Sequence, residues 1–410
     1  MVGTAGHLAQ RRGPLSDITV LDCTMALAGP FGAAILADLG ADVIKVEPPA
    51  GDISRGTPPH PPDFATPASD REAGCDYGGY FASINRNKRS VSLDLKDPAQ
   101  REQFLRMCER ADVVLENTRA GVMDRLGCGY EVIRDRNPRI VYGAIRGFGD
   151  PRTGESPYVD WPAFDIVAQS MGGLAHINGP PSATGYPAGA SVGDLYPGTL
   201  LALGVLAAVH DARRTGRGQF VDVAMYDAIT FLCETVIANY GYDRIELGAR
   251  GAGHPNLCPF DIYPAADGAV AIAAPGAKHW ELLCEAMGRS DLISDERTHN
   301  VRARVQNRAL VADAIIAWTG TLSKQQVVAA LGGKVPCGPV NTAADLFADP
   351  HLQIRDMIRD MPLPGDNPTV QIVGAPIKFT ETPTGLYRRA PRLDEHRDEI
   401  WEQFGLPLDP

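Results

Sequence analysis

The stretch Gly193-Asp194-Leu195-Tyr196-Pro197-Gly198 sets one carboxylate between two glycines at the mouth of the apolar run from Thr199 to Val209. That run reads as a buried helix with Asp194 just ahead of its N-terminus, where free N–H groups and the positive dipole end favour an ionised carboxylate. An aspartate in this position commonly serves as a plain N-cap. It can also serve as a nucleophile: at an unperturbed pKa of about 3.9 it is ionised at pH 7 and, unlike serine or cysteine, needs no general base. Gly193 and Gly198 fit close backbone approach, with nearby N–H groups facing developing oxyanions, or else simple turn geometry. No Ser/His/Asp constellation stands out, and the nine histidines show no H-E-x-x-H spacing, so no metal site is expected.

Strands alternating with helices must position Asp194. Ile18–Leu21, Asp42–Val46, Ser90–Leu95, Val113–Leu115 and Ile140–Tyr142 read as strands. Phe31–Leu39 and Pro98–Arg110 read as helices, and a Pro/Gly-rich loop spans Pro48 to Thr66. This alternation predicts an α/β fold with a parallel, Rossmann-like sheet, in which ligands bind outside the carboxyl ends of the strands. The first strand-to-helix turn, Thr24-Met25-Ala26-Leu27-Ala28-Gly29-Pro30, lacks G-x-G-x-x-G, and no Walker sequence occurs. A nicotinamide-dependent dehydrogenase is disfavoured on that ground.

Beyond Asp194 come a basic turn (Arg213 to Gln219), a strand (Phe220 to Ala224) and a helix from about Tyr226. Two strands, Phe260–Pro264 and Ala269–Ala273, then flank an Asp267-Gly268 hairpin turn. Helices are expected around Trp280–Met287, Val301–Trp318 and Lys324–Leu331, and a last one near Glu395–Gln403. The expected division is a large domain over 15–227, a smaller α+β lobe over 228–335, and a return to the large domain over 336–410.

The 410 residues can bury a large core, and 44% apolar with 22% charged residues is ordinary globular composition. A net charge of −11 without a long basic run argues against nucleic acid or an anionic membrane as partner. Eight scattered cysteines never form C-x-x-C, which fits a reduced, cytoplasmic setting. No apolar stretch is expected to reach the roughly 20 residues of a membrane span, and Met1–Pro14 has no signal-like apolar core.

The chain resembles the class III coenzyme A transferases, the CaiB/BaiF group. The resemblance rests on Leu39-Gly40-Ala41-Asp42-Val43-Ile44-Lys45-Val46-Glu47, Asn87-Lys88-Arg89-Ser90, Leu115-Glu116-Asn117 and Asn137-Pro138-Arg139. It continues through Gly193-Asp194, Thr215-Gly216-Arg217-Gly218-Gln219 and Pro336-Cys337-Gly338-Pro339-Val340, in order over about residues 15–405. It implies an interlocked-ring homodimer, with coenzyme A as substrate and no permanently bound cofactor. It also implies that Asp194 is the catalytic aspartate, attacking an acyl-CoA thioester and passing through a mixed anhydride and an aspartyl-CoA thioester. A thiol of pKa roughly 8.5 departs as a thiolate without strong acid help, which suits a lone carboxylate.

Residues matching the family's CoA contacts are Leu27 and Ala28, Leu93, Asp94, Leu95 and Lys96, Asn117, Thr118 and Arg119, Arg125, and Pro162, Ala163, Phe164 and Asp165. Lys96, Arg119 and Arg125 would supply positive charge to the phosphates, with Lys88 and Arg89 as additions. Some members carry arginine where this chain has Pro48, and Arg55 is the expected substitute. Acyl-CoA racemases of the same family use a histidine where this chain has Phe164, which cannot carry a proton, so transfer is favoured. Formyl-CoA:oxalate transferases have a run of consecutive glycines; the nearest equivalent here, Gly248 to Pro255, is not such a run, which argues against oxalate as acceptor. Within it Arg250, Gly251, Gly253 and His254 are candidates to meet an acceptor such as a small dicarboxylic acid. A CoA-binding protein without turnover is the remaining alternative.

Overall fold

The computed structural model describes residues 13–60, 77–364, 369–382 and 384–407. Residues 61–66 of the expected Pro/Gly-rich loop, Arg11, Arg12 and Cys75 lie outside them. Six strands form one parallel sheet: β1 (Thr19–Asp22), β2 (Asp42–Glu47), β3 (Arg89–Ser92), β4 (Val113–Glu116), β5 (Val141–Arg146) and β6 (Phe220–Ala224). Their order, β3-β2-β1-β4-β5-β6, is that of the Rossmann fold, with the reversal between β1 and β4. β2, β4 and β5 are buried along their whole length, as a parallel sheet covered on both faces requires.

Helices follow in the order α1 (Ala28–Asp38), α2 (Gly79–Ile84), α3 (Pro98–Cys108), α4 (Val122–Arg125), α5 (Tyr130–Arg136), α6 (Asp165–Met171), α7 (Leu174–Ile177), α8 (Val192–Thr215) and α9 (Met225–Leu232). The Asp97 side chain accepts the Ala99 and Gln100 N–H groups and Pro98 opens α3, so the start of α3 is fixed by its own sequence. The last helix, Arg397–Phe404, returns Ile400 and Trp401 to the core that holds Phe104, Met107 and Ile133.

α8 corrects two expectations. It begins at Val192, so Asp194 lies inside the first turn rather than ahead of it, and Pro197 lies within the helix. Only one face is buried, through Leu201, Val205 and Val209, while Leu203 is 63% exposed. By length and composition alone α8 is also apolar enough to span a bilayer, contrary to the expectation from sequence.

A second compact unit has its own antiparallel sheet: β7 (Phe260–Ala265), β8 (Gly268–Ala273) and β9 (Cys337–Pro339), in that order. Its core gathers Trp280, Leu283, Val311, Ile315 and Val327. The helix expected over 301–318 is two helices, Val301–Gln306 and Arg308–Thr319. It breaks at Asn307, whose side chain donates to the Ala303 carbonyl.

The first unit comprises the described residues of Met1–Leu174, Ala188–Ala238 and His351–Pro410, and the second those of Ala175–Pro187 and Asn239–Pro350. These boundaries differ from the expected 228 and 335. Ala228 and Ile229 of α9 are buried in the first unit. Val340 N–H bonds to the Ala269 carbonyl beside β8, which carries the second unit past Val335. The segment 175–187 joins the second unit through a bond from Gly251 N–H to the Gly179 carbonyl.

Candidate active site

Four strands end on a buried charged residue: Asp22, Glu47, Glu116 and Arg146. A buried charge persists only when paired. Asp22 pairs with Lys88 at 2.8 Å, Glu47 with Arg55 at 2.6 Å, and Glu116 with Arg146. These pairs floor the carboxyl end of the sheet, where the expected CoA residues emerge.

Leu27 and Ala28 follow β1, Leu93 to Lys96 follow β3, and Asn117 to Arg119 follow β4. The loops after β1 and β4 meet: Asn117 accepts the Met25 N–H at 2.8 Å and donates to the Met25 carbonyl at 2.7 Å. Thr118 bonds through N–H and hydroxyl to Glu116, and its carbonyl accepts from Arg146. Ala163 packs over the end of β5, where a Cβ on Gly147 would lie 2.4 Å from its methyl carbon. Pro162 and Phe164 are exposed, Phe164 to 67%.

Asp194 is joined to this group through two close approaches. Asp165 accepts the Gly193 N–H at 2.7 Å, and a Cβ on Gly193 would fall 2.5 Å from the Asp165 carbonyl oxygen. A Cβ on Gly198 would fall 2.4 Å from the Ala28 carbonyl oxygen, and one on Gly32 of α1 would lie 2.6 Å from that of Gly198. Both glycines serve close backbone approach, as one of the two sequence readings held.

The electrostatics of Asp194 differ from expectation. The first-turn N–H groups are occupied: Val192 by Ala190, Gly193 by Asp165, and Asp194 and Leu195 by the Ser191 carbonyl. The Asp194 carboxylate accepts no hydrogen bond from a described residue. Burial, and then the Asp165 charge, push its pKa up to about 7, against the unperturbed carboxylate of the sequence reading. Such a shift is common where chemistry occurs. Tyr80 of α2, which no sequence signal marked, lies in the same field: burial and then Asp194, Asp52 and Asp165 raise its hydroxyl.

The cations divide. Lys96, Arg119 and Arg125 are exposed and make no ion pair with a described residue, so they remain available to an anion. Lys88 and Arg89 are not: Lys88 is enclosed by Asp22, Asn85 and the Pro30 carbonyl, and Arg89 by Asp42 and Glu399. Arg55 is 2% exposed and fixed to Glu47 and the Pro391 carbonyl, so it is a structural cation rather than a replacement for the missing arginine at Pro48.

Arg250, Gly251, Gly253 and His254 belong to the second unit. Their loop is fixed locally: Arg308 donates to the His254 carbonyl at 2.7 Å, and the His254 ring lies 5.2 Å from that of Phe260. A side chain on Gly253 would meet the Asp261 carboxylate. Among the described residues, no group of His, Cys, Asp and Glu is arranged to hold a metal ion.

The fold and site define a Rossmann-type α/β protein that carries a largely buried, unpaired carboxylate in the first turn of α8. The sequence profile of CoA-transferase family III matches residues 15–397, and the chain belongs to that family. It is 47% identical over 394 residues to a succinyl-CoA:mesaconate CoA-transferase of Haloarcula hispanica, covering 96% of this chain and 97% of that protein. It is 34% identical over 398 residues to a succinate–glutarate CoA-transferase of Agrobacterium fabrum, covering 96% of each. A CaiB/BaiF family protein from Brucella suis matches with a TM-score of 0.83 at 32% identity, over 96% of this chain and all of that one. The chain is accordingly a CoA-transferase, with CoA thioesters as substrates.

Proposed function

We propose that this enzyme moves CoA from succinyl-CoA to a small dicarboxylic acid, with Asp194 carrying first the acyl group and then CoA. Its carboxylate attacks the thioester carbonyl, the C–S bond breaks, and CoA thiolate leaves behind a mixed anhydride. The thiolate attacks the aspartyl carbonyl of that anhydride, releasing succinate and forming an aspartyl-CoA thioester. The acceptor carboxylate displaces CoA to give a second anhydride. Thiolate attack on the acceptor's carbonyl then forms the new acyl-CoA and frees Asp194. Every leaving group is an anion and no proton is transferred, so no acid–base pair is required.

The observation that carries this reading is the unpaired Asp194 carboxylate between Gly193 and Gly198, with a pKa raised to about 7. Lys96, Arg119 and Arg125 bind the CoA phosphates, and the loops at 27–28, 93–96, 117–119 and 162–165 line the CoA path. Mesaconate and glutarate, acids in the names of the two relatives above, are the first to test. The working form is an interlocked homodimer in the cytoplasm, a setting the scattered cysteines support.

Racemisation is disfavoured because Phe164 offers no proton carrier. The test is incubation with succinyl-CoA and a panel of acids, following new thioesters by mass spectrometry in wild type and Asp194→Ala. New acyl-CoA that vanishes in the variant is expected. CoA binding without exchange across the panel would leave a binding protein instead. Light scattering reads the oligomeric state, and a monomer would remove the dimer from the proposal.

A further inference from the structure

We propose that Lys45 and Asp52 are positioning residues of the CoA site, their buried ion pair holding the strap Thr24–Leu27 in its binding shape. This rests on the reading of Leu27 and Ala28, at the end of the strap, as CoA contacts.

The strap lies at the β1/β4 reversal, and its backbone polar groups are met by side chains rather than by a neighbouring strand. Asp22 accepts the Thr24 N–H at 3.0 Å, and Lys45 donates to the Thr24 carbonyl at 2.8 Å. Asn117 takes both backbone groups of Met25. Asp52 accepts the Ala26 N–H at 3.2 Å. Backbone groups withdrawn from water need such partners, so these side chains specify the loop.

Ala26 shows that the loop is imposed. Its φ is +67°, a left-handed conformation that costs a residue with a Cβ and that glycine adopts freely. Ala26 stays there because Asp52 holds its N–H, while the Asp52 carboxylate is in turn fixed by Ser54 and by Lys45 at 2.8 Å. Both side chains of that ion pair are fully buried. Lys45 therefore grips the strap twice, directly at Thr24 and through Asp52 at Ala26. An Asp52→Asn side chain keeps the shape but has one acceptor oxygen for its two sides, so an amide donor faces either the Lys45 ammonium or the Ala26 N–H, and the link from Lys45 to the strap through residue 52 is broken.

The experiment measures CoA binding by calorimetry, and KM and kcat for succinyl-CoA, in wild type, Asp52→Asn and Asp52→Asn/Ala26→Gly. Asp52→Asn is expected to raise KM and the CoA dissociation constant about tenfold, with kcat changed less than threefold. Adding Ala26→Gly is expected to recover most of that loss, because glycine reaches φ near +67° without the Cβ penalty that Ala26 meets there. A merely structural role for Asp52 predicts no such rescue. Should Asp52→Asn fail to fold, Lys45→Met with and without Ala26→Gly makes the same comparison. Unchanged KM, or a loss that Ala26→Gly does not recover, overturns the inference. Wild type that binds no CoA overturns the functional reading beneath it as well.

Discussion

Asp165 accepts the Gly193 N–H at 2.7 Å, one residue before Asp194, and its charge is also one of the two causes of the raised Asp194 pKa. One carboxylate thus fixes the backbone beside another and keeps it partly protonated at neutral pH. Nucleophilic attack needs the ionised form. With a pKa of about 7, activity of the free enzyme is expected to rise with pH up to a limb near 7. Asp165→Asn keeps an acceptor for Gly193 and removes the charge, so the limb in a kcat/KM profile moves to lower pH. A limb that stays in place would mean burial alone sets it.

Stability should carry the mirror image. Asp194 binds its proton more readily folded than unfolded, so stability falls as pH rises from about 4 to about 7, and the cost is fully present above 7. The shift corresponds to about 4 kcal/mol at most, and partial exposure brings the expected effect to about 1–2 kcal/mol. Asp194→Asn should therefore stabilise the protein at pH 8 and much less at pH 5, measured by denaturant unfolding. Equal effects at both pH values would contradict the raised pKa.

The approach of α1 to α8 leaves no room for a side chain. Gly198→Ala places a methyl 2.4 Å from the Ala28 carbonyl oxygen, a backbone atom that cannot rotate away. A loss of about 1–3 kcal/mol is expected, despite the better helix propensity of alanine. Transfer activity should fall with it, since the same contact sets Asp194 against the β1 strap.

The cations are expected to separate by measurement. Arg55→Ala strands Glu47 in the core and should cost about 3–5 kcal/mol in thermal or chemical unfolding. Substitution of Lys96, Arg119 or Arg125 by alanine should leave stability unchanged. Each should weaken CoA binding roughly 2–10-fold, an effect that fades at high salt. The opposite pattern would reassign the phosphate site.

Much of the first unit was legible in the sequence because strands buried on both faces are short apolar runs bounded by turns. β2 and β4 lie within a residue of where Asp42–Val46 and Val113–Leu115 were expected. Element ends were harder to read. β3 stops at Ser92 rather than Leu95, and α8 starts before its apolar run, because N–H groups of its first turn are met by Asp165 and by local carbonyls. Unit boundaries were harder still, since Val340 joins the second unit through a partner near residue 270.

By itself the sequence determined the alternation of strands and helices, the absence of a glycine fingerprint, and an aspartate between two glycines as the residue to test. Those are properties of local pattern and side-chain type. Only the tertiary structure decided that Lys88, Arg89 and Arg55 are enclosed in ion pairs while Lys96, Arg119 and Arg125 stay open. It alone placed Asp165 and Tyr80 within the field of Asp194 and raised that carboxylate to about 7. A cation reads the same in sequence whether it meets water or a buried acid. A carboxylate's pKa depends on desolvation and on neighbours that the chain supplies from distant positions, so both were settled by packing.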